Sequence, residues 1–138
     1  MVTLEASDTL DLTDDIMRLG RIRHMPVVSK GKLMGILSQR DLFRAAISSA
    51  LKFRWSAERK WLAKIPVREV MTKEVVTISP DAPVRDAVME MLTRRVGCLP
   101  VVERRKLVGL LSETDCMRYL ARLLDISATK QQLPELPD

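Results

Sequence analysis

The sequence predicts an α/β (α+β) protein made of two copies of one β-α-β-β-α unit. Displaced by 74 positions, residues 3–44 align with residues 77–118 without a gap, and thirteen of the aligned pairs are identical. Nine of these identities fall within residues 26–41, a clustering that indicates duplication rather than chance. Because a solenoid needs at least three repeats, two copies favour two halves packed together with pseudo-twofold symmetry.

Each copy begins with a short strand-prone segment and continues with the apolar spacing of a helix. In the first copy Asp8 or Thr9 can cap this helix, and Leu12, Ile16 and Leu19 are expected on one face. The second copy repeats this pattern with Pro83, Val84, Val88 and Met91.

Two apolar strands follow in each copy, and a short polar turn joins them into a hairpin. The strands are predicted at residues 25–28 and 32–37 in the first copy, and at residues 99–102 and 106–111 in the second. A second helix is then expected to close each unit.

Each hairpin ends in the same motif, Gly-x-x-Ser-x-x-Asp, where the second helix begins. Ser38 and Ser112 are good helix caps, and Asp41 and Asp115 are favourable at the positive end of the helix dipole. The motif also suits a ligand, because N–H groups and a hydroxyl can meet a phosphate while a carboxylate accepts two ribose hydroxyl protons. Capping alone and nucleotide contact are both compatible with it.

Composition is that of a soluble globular protein. Hydrophobic residues make up 46% and charged residues 30%, and no apolar run approaches the ~20 residues of a membrane span. No segment resembles a signal peptide, so we expect a cytoplasmic protein. The net charge of +5 favours anionic partners such as phosphates, but no basic tract is dense enough to predict nucleic-acid binding.

The sequence shows no pattern typical of catalysis or of metal binding. Cys98 and Cys116 stand eighteen positions apart in a chain with one histidine, which predicts neither a disulfide framework nor a zinc site, and both are expected to be buried. The single histidine has no Ser or Cys partner in a nucleophile motif, and there is no glycine-rich phosphate loop. We therefore expect a protein that is not an enzyme and requires no cofactor.

The β-α-β-β-α order, the Pro-Val-Val strand and the G-x-x-S-x-x-D ending resemble the cystathionine β-synthase (CBS) domain family. Two units in tandem resemble a CBS pair, or Bateman module, over roughly residues 2–48 and 66–124. The resemblance implies a pseudosymmetric disc with two clefts, each able to hold AMP, ADP, ATP or S-adenosylmethionine. It also implies regulation, for example energy sensing, rather than catalysis, and assembly as a homodimer.

The resemblance assigns ligand contacts to both copies. Asp41 and Asp115 would hold ribose hydroxyls, and Ser38 and Ser112 would contact phosphate. The other implied contacts, near the phosphate and around the base, are Thr3, Thr77, Met25, Pro26, Leu99 and Pro100.

The copies differ just before the Pro-bearing strand. Family members that bind phosphates most tightly have basic residues at these positions. Arg23 and His24 of the first copy fit that role, whereas the second copy has Gly97 and Cys98. A lone histidine in this position is also compatible with a structural, hydrogen-bonded role. We expect the two clefts to differ in charge.

The chain divides into a first repeat at 1–48, a helical linker at 49–65, a second repeat at 66–124 and a flexible tail at 125–138. The segment PVREVMTKEV introduces the second repeat and resembles the segment that leads into a repeat of the family. The first copy has no counterpart of it, which suggests a shortened module or a fragment.

The linker carries both tryptophans and several basic residues. Phe43, Ile47 and Ala50 continue an apolar helical stripe into it, and Trp55 and Leu62 suggest a second helical face that Ser56 could cap. This region is compatible with a dimer contact, a basic rim over a cleft, or a helix packed on its own domain.

Three functions remain open from the sequence. The chain can be a regulatory module that senses a nucleotide, a ligand-free module that dimerises through its helices, or an accessory part of an enzyme or transporter. The regulated partner is unknown in each case.

Overall fold

The strands form one mixed sheet that contains both copies of the repeat. The structure, a computed structural model, describes residues 1–52 and 60–127. Within them the sheet has five strands in the order β1-β2-β3-β5-β4, so the two hairpins lie side by side. The strands are β1 (Leu4–Glu5), β2 (His24–Ser29), β3 (Lys32–Ser38), β4 (Cys98–Glu103) and β5 (Lys106–Ser112).

The helices occur in the order that the sequence predicts, one before and one after each hairpin. A short 3₁₀ helix, Val67–Glu69, precedes the second copy. The longer helices are α1 (Leu10–Gly20), α2 (Gln39–Lys52), α3 (Val84–Arg94) and α4 (Glu113–Ser127). None of the described helices has both the length and the apolar character needed to cross a bilayer. The predicted fold class and its tandem repeat are confirmed.

The two copies fold in the same register. Leu4 pairs with Val27 in parallel, and the residues 74 positions later, Ile78 and Val101, form the same parallel pair. Both hairpins are antiparallel and shift register at the same place, between two consecutive valines. The strand-prone start of the second copy is thus reduced to one bridging residue, Ile78, whereas that of the first copy forms β1. The duplicated sequence is therefore also a duplicated pattern of backbone pairing.

A single residue pair joins the two hairpins within the sheet. β3 and β5 meet antiparallel at Lys32 and Lys106, and nearby the N–H of Leu107 donates to the carbonyl of Gly31 over 3.1 Å. The sheet thus couples the halves close to the hairpin turns. The opposite ends of β3 and β5, which carry the Gly-x-x-Ser motif, do not pair with each other.

The buried face of α1 overlaps the predicted one only in part. Its buried residues are Leu10, Thr13 and Met17. Ile16, a member of the predicted set, is half-buried and packs against the core, whereas Leu12 and Leu19 are exposed, Leu19 at 89%. The helix carries two apolar stripes, and the more deeply buried stripe is the one that contains Thr13. Burial of this polar side chain is tolerated because the Thr13 hydroxyl donates a hydrogen bond to the carbonyl of Thr9 over 3.0 Å.

Helix α3 follows its prediction only in part. Met91 is buried, together with Ala87, which the apolar spacing did not single out. Val88 is half-buried, and Val84, at the first helical position, is 44% exposed. The start of α3 therefore lies at the edge of the core.

Residues 62–72, here called the cover segment, lie over the first half of the molecule. Val67 is fully buried there, and its N–H donates to the carbonyl of Asp8 over 2.7 Å. Farther along, Ile36 of β3 and Thr72 exchange two backbone hydrogen bonds of 3.0 and 2.9 Å. The segment that introduces the second repeat thus completes the core of the first.

The two halves bury unequal amounts of apolar surface. The buried residues of the first cluster are Leu4, Leu10, Met17, Met25, Val27, Leu37, Leu42, Leu62 and Val67. Those of the second cluster are Ala87, Met91 and Leu99. The difference arises partly because two members of the first cluster, Leu62 and Val67, belong to the cover segment.

Part of the linker prediction lies outside the described residues, including Trp55 and Ser56. Phe43 and Ile47 of α2 are exposed, so the apolar stripe that they continue faces away from the core. Helix α4 extends to Ser127, and residues 128–138 lie outside the described chain.

Candidate ligand cleft

The motif serines and aspartates cap the helices that follow them. Asp41 Oδ2 accepts the Ser38 N–H over 2.9 Å, and Ser38 Oγ accepts the Asp41 N–H over 3.0 Å. Ser112 and Asp115 repeat both bonds at 2.9 and 3.2 Å. Such reciprocal caps satisfy two backbone donors at a helix start. The capping role expected from the sequence is present in both copies.

The two aspartates differ in their second carboxylate oxygen. Oδ1 of Asp115 lies 3.8 Å from a guanidinium nitrogen of Arg118. Within the described chain, Oδ1 of Asp41 makes no hydrogen bond or ion pair, and the residue is half-buried. Asp41 therefore keeps an acceptor for a ligand while it caps its helix.

Asp41 lines a cavity of about 590 Å³ to which both copies contribute. This volume lies within the range of roughly 300–1,000 Å³ that is typical of small-molecule sites. The first copy supplies Arg23, His24, Ile36, Ser38, Gln39, Arg40, Asp41 and Arg44. The rest of the wall is Thr72, Glu74, Val75, Val76, Arg95, Val96, Gly97, Cys98 and Glu113. We call this cavity the cleft.

Four residues that the sequence singled out meet in the cleft: Arg23, His24, Ser38 and Asp41. Four guanidinium groups face three carboxylates there, so the charge of the wall favours an anion. Of these charged groups, the sequence reasoning missed Arg40, Arg44, Glu74, Arg95 and Glu113. The repeat itself held a signal for two of them, because Arg44 and Arg95 each occupy a position that is identical in both copies.

Other expected contacts lie elsewhere. The apolar positions assigned to the base, Met25, Pro26, Leu99 and Pro100, are buried in the protein interior rather than at the cleft wall. Side chains of a strand alternate between its faces, and His24 takes the cleft side. The apolar part of the wall consists instead of Ile36, Val75, Val76 and Val96. Thr3 and Thr77 are exposed and do not line the cleft.

Three backbone N–H groups at the start of α2 are already used inside the chain. The N–H groups of Ser38 and Asp41 take part in the cap, and the Gln39 N–H donates to the carbonyl of Arg23 over 2.8 Å. These N–H groups are therefore not available for the expected contact with a phosphate. The Ser38 hydroxyl and the arginine side chains remain as donors.

His24, Gly97 and Glu113 meet where the two copies approach across the cleft. A β-carbon added at Gly97 would lie 3.3 Å from His24 Cε1 and 3.5 Å from Glu113 Oε1. The distance of 3.3 Å to His24 Cε1 is shorter than most contacts that β-carbons make in proteins. Glycine at position 97 is thus explained by close packing, and it belongs to the same cleft as His24, not to a separate second one.

Burial lowers the pKa of His24 below its ordinary value of 6.5. The Glu113 and Asp41 carboxylates oppose this shift, and the Arg23 and Arg40 guanidiniums support it. The imidazole is neutral at neutral pH, so the positive charge of the cleft comes from its arginines.

The cysteines are free thiols. Burial, and next the Glu113 carboxylate, raise the pKa of Cys98 to about 11. Cys116 is half-buried rather than buried as expected, and burial raises its pKa as well. Among the described residues no group of three or more His, Cys, Asp or Glu side chains is arranged to hold a metal ion.

The motif aspartate of the second copy does not line the cleft. Asp115 instead lines a smaller cavity of about 340 Å³ that faces α3 and α4, and Ser112 lines neither cavity. That the two copies form ligand sites of different charge stays a prediction.

The model of the CBS domain family matches residues 1–48 and 67–122. The Methanocaldococcus jannaschii protein MJ1225 is 33% identical over 132 residues, which cover 91% of this chain and 47% of that protein, so the chain spans about half of that relative. A Vibrio cholerae protein named AcuB has the same fold, with a TM-score of 0.77, 32% identity and coverage of 95% of this chain and 90% of that one.

A third similar structure contains ligands. It is the CBS domain pair of protein MJ0100 in complex with 5'-methylthioadenosine and S-adenosyl-L-methionine, with a TM-score of 0.71 and 26% identity. The alignment covers 86% of this chain and 90% of that one.

Proposed function

Because this chain belongs to the CBS domain family, we propose that it is a regulatory module, not an enzyme, that binds an adenine nucleotide or related adenosyl ligand in its cleft. The observation that carries the proposal is the cleft itself. It combines an available carboxylate oxygen, on Asp41, with four guanidinium groups and an apolar wall. AMP, ADP, ATP and S-adenosylmethionine are the candidate ligands.

Each part of such a ligand has a complementary group in the cleft. Asp41 Oδ1 can accept hydrogen bonds from the ribose hydroxyls, because only Oδ2 is used in the cap. Guanidinium groups such as Arg44 and Arg95 suit phosphate oxygens. The aliphatic wall around Val75 and Val96 can pack against the adenine ring.

Similarity supports the adenosyl part of the proposal. Both compounds bound by the MJ0100 pair contain a 5'-deoxyadenosyl group, and hence the ribose diol that a carboxylate recognises. The phosphate part rests on this chain's own arginines. A nucleotide with one or more phosphates is therefore expected to bind more tightly than adenosine.

Signalling would follow from the composition of the cleft wall. Arg23 and Asp41 come from the first copy, whereas Arg95 and Glu113 come from the second. A ligand that contacts both copies stabilises the arrangement in which both sets of contacts form. That differential binding is the physical basis on which a bound nucleotide could alter a partner.

The test is a thermal-shift panel of AMP, ADP, ATP and S-adenosylmethionine on three proteins. We expect at least one compound to raise the Tm of the wild type by mass action. Asp41→Ala should lose that rise. Asp115→Ala is the matched control, because it removes the same type of helix cap but lies outside the cleft.

The control separates loss of a ligand contact from loss of a cap. Both variants should lower the Tm of the unliganded protein, and only Asp115→Ala should keep the ligand-induced rise. If no compound at millimolar concentration shifts the wild type, or if Asp41→Ala responds like the wild type, the proposal fails. Native mass spectrometry should find one nucleotide per chain.

Self-association is a second candidate role, favoured by apolar side chains on the surface of two helices. Phe43 and Ile47 of α2 and Met117 and Leu120 of α4 are each exposed by at least 45%. Exposed apolar surface of this kind often marks a protein interface. Light scattering should then report a dimer mass that Phe43→Glu reduces, and a monomer at high concentration would contradict this role.

A further inference from the structure

The hairpin turns of the two copies meet at the point where the sheet joins the halves. Lys32 and Lys106, the first residues of β3 and β5, are partners in the sheet. The N–H of Leu107 donates to the carbonyl of Gly31, which belongs to the first turn, over 3.1 Å. Each turn comes directly before its paired lysine. The two turns are therefore neighbours in space although they lie far apart in the sequence.

Basic side chains are concentrated on these turns and on the paired lysines. Five exposed residues belong to this set: Lys30, Lys32, Arg104, Arg105 and Lys106. Glu103 is the one acidic residue within the same two segments, 29–32 and 103–106. The excess of positive charge here is almost as large as the net charge of +5 of the whole chain, so the rest of the chain is close to neutral. We call the five residues the basic surface.

Contacts within the described chain do not explain these charges. Among the described residues, none of the five basic side chains forms an ion pair or a side-chain hydrogen bond. Lys32 and Lys106 instead stand opposite each other in the sheet, and like charges at opposite positions destabilise a strand pair. The basic groups are therefore available to a partner.

The second turn departs from the residue types that its backbone favours. Arg104 and Arg105 have φ values of 51° and 68°, in the left-handed region. Two-residue turns with positive φ at both positions favour pairs such as Asn-Gly, because a β-carbon is unfavourable there. The first copy follows this preference with Gly31, at a φ of 79°. Turn formation therefore does not explain Arg105, which adds charge where glycine would give the more stable turn.

Exposed apolar side chains lie beside the basic surface. Met34 and Val108 follow the paired lysines by two positions, so each lies on the same face of its strand as that lysine. Met34 is 45% exposed and Val108 is 50% exposed. A length of strand of roughly 7 Å separates each of them from its lysine. A molecule bound here can thus make charged and apolar contacts together.

We propose that the basic surface binds an acidic peptide segment of a partner protein, in which glutamate or aspartate residues are interspersed with aliphatic ones. The carboxylates would pair with lysines and arginines of both turns. The aliphatic side chains would pack on Met34 or Val108, whose exposed areas flank the paired lysines. Because each copy supplies one turn, the bound segment would contact both halves of the molecule.

Other anionic partners fit this surface less well. None of the phenylalanine, tyrosine or tryptophan residues of the chain belongs to either hairpin, so the surface has no platform on which bases could stack. It also lacks the continuous apolar helix face that inserts into a lipid interface. None of the five basic residues lines the nucleotide cleft. The proposal therefore does not depend on nucleotide binding.

The probe is a short synthetic peptide of glutamate and leucine residues, added at low ionic strength to the full chain labelled with ¹⁵N. We expect saturable shifts of the amide resonances of residues 29–34 and 103–108, and unchanged resonances of His24 and Gly97 in the cleft. Added salt should weaken binding, because the charges on both molecules are exposed. A peptide with glutamine in place of glutamate should bind at least about tenfold more weakly, and one with serine in place of leucine should also lose affinity.

A double variant removes charge from the basic surface while it improves the turn. Arg104→Asn combined with Arg105→Gly introduces the Asn-Gly pair that such turns favour, so the Tm should be equal to that of the wild type or higher. The variant should nevertheless bind the peptide about tenfold more weakly, because two cations are lost. Its matched control combines Lys64→Gln with Arg85→Gln, which removes two exposed cations outside the two hairpins. The control should bind almost as tightly as the wild type.

Several outcomes would overturn the proposal. One is the absence of shifts at the two turns with the peptide at millimolar concentration. Another is an equal loss of affinity in the turn variant and its control, which would reduce the effect to net charge. Equal affinity for the serine peptide would remove the apolar part of the recognition. Tighter binding of a DNA oligonucleotide of equal charge, or of vesicles that contain phosphatidylserine, would assign the surface to nucleic acid or to a membrane instead.

Discussion

His24 and Gly97 approach so closely that a β-carbon on the glycine would lie 3.3 Å from His24 Cε1. The two residues come from equivalent places in the repeat, one position apart, and the cleft wall includes both. Their difference in size is what allows one copy to pack its imidazole against the other. The same contact helps to bury His24 and lowers its pKa, from which the first prediction follows.

Stability should fall as the pH drops below the ordinary histidine value of 6.5. The folded chain holds the pKa of His24 lower than the unfolded chain does, so the unfolded chain binds the proton more readily. The contribution is fully present above 6.5 and is lost as the pH falls toward the folded-state value. Urea unfolding above 6.5 and about one pH unit below it should show this loss. His24→Gln should reduce it, since the chain has no other histidine; equal pH dependence in both proteins would contradict the account.

Gly35→Ala should destabilise the protein by about 1–3 kcal/mol, because its β-carbon would displace the backbone of Thr72. Gly109→Ala is the equivalent change in the second copy, and it should stay within about 0.5 kcal/mol of the wild type, because only Val101 is near. Chemical denaturation of the two variants measures the difference. Equal destabilisation would mean that the cover segment does not pack on β3 as described.

Ser38→Ala and Ser112→Ala should each cost about 1 kcal/mol of unfolding free energy, because each removes the acceptor of a helix cap. The caps stand on different helices and share no partner, so the double variant should lose about the sum. Denaturation curves of the three variants test this. A double variant no less stable than either single one would indicate that the caps are not independent.

Cys116 should react with iodoacetamide faster than Cys98 in the folded protein. Cys98 is buried and its pKa is raised to about 11, so almost none of it is thiolate near neutral pH. Cys116 is half-buried, with its pKa also raised, and should react slowly but first. Mass spectrometry of peptides after timed alkylation distinguishes the two. Denaturant should remove the difference, and preferential labelling of Cys98 without denaturant would contradict the described burial.

Local sequence signals predicted the backbone of this protein well. The hairpins, the caps at Ser38 and Ser112 and the order of elements follow from periodicity, turn residues and the repeat at 74 positions. These features depend on neighbours close in sequence, and the repetition supplied each of them twice. The family follows from the same residues.

Features that depend on distant packing were harder to predict. The face of α1 was predicted only in part, because Leu12 and Leu10 belong to different apolar stripes of the helix and their burial depends on packing against the rest of the fold. Arg95 and Glu113 were missed in the cleft because they come from the other copy. The position of Gly97 beside His24 likewise requires knowledge of how the halves meet.

The single strand pair between Lys32 and Lys106 has a mechanical consequence. One pair of residues offers little resistance to rotation of one hairpin against the other, since a ladder stiffens only with successive hydrogen bonds. Side chains across the cleft, such as His24 against Gly97, add contacts between the halves. A nucleotide bound by Asp41 of the first copy and by Arg95 of the second would restrict rotation of one half against the other. Its release would allow that rotation again.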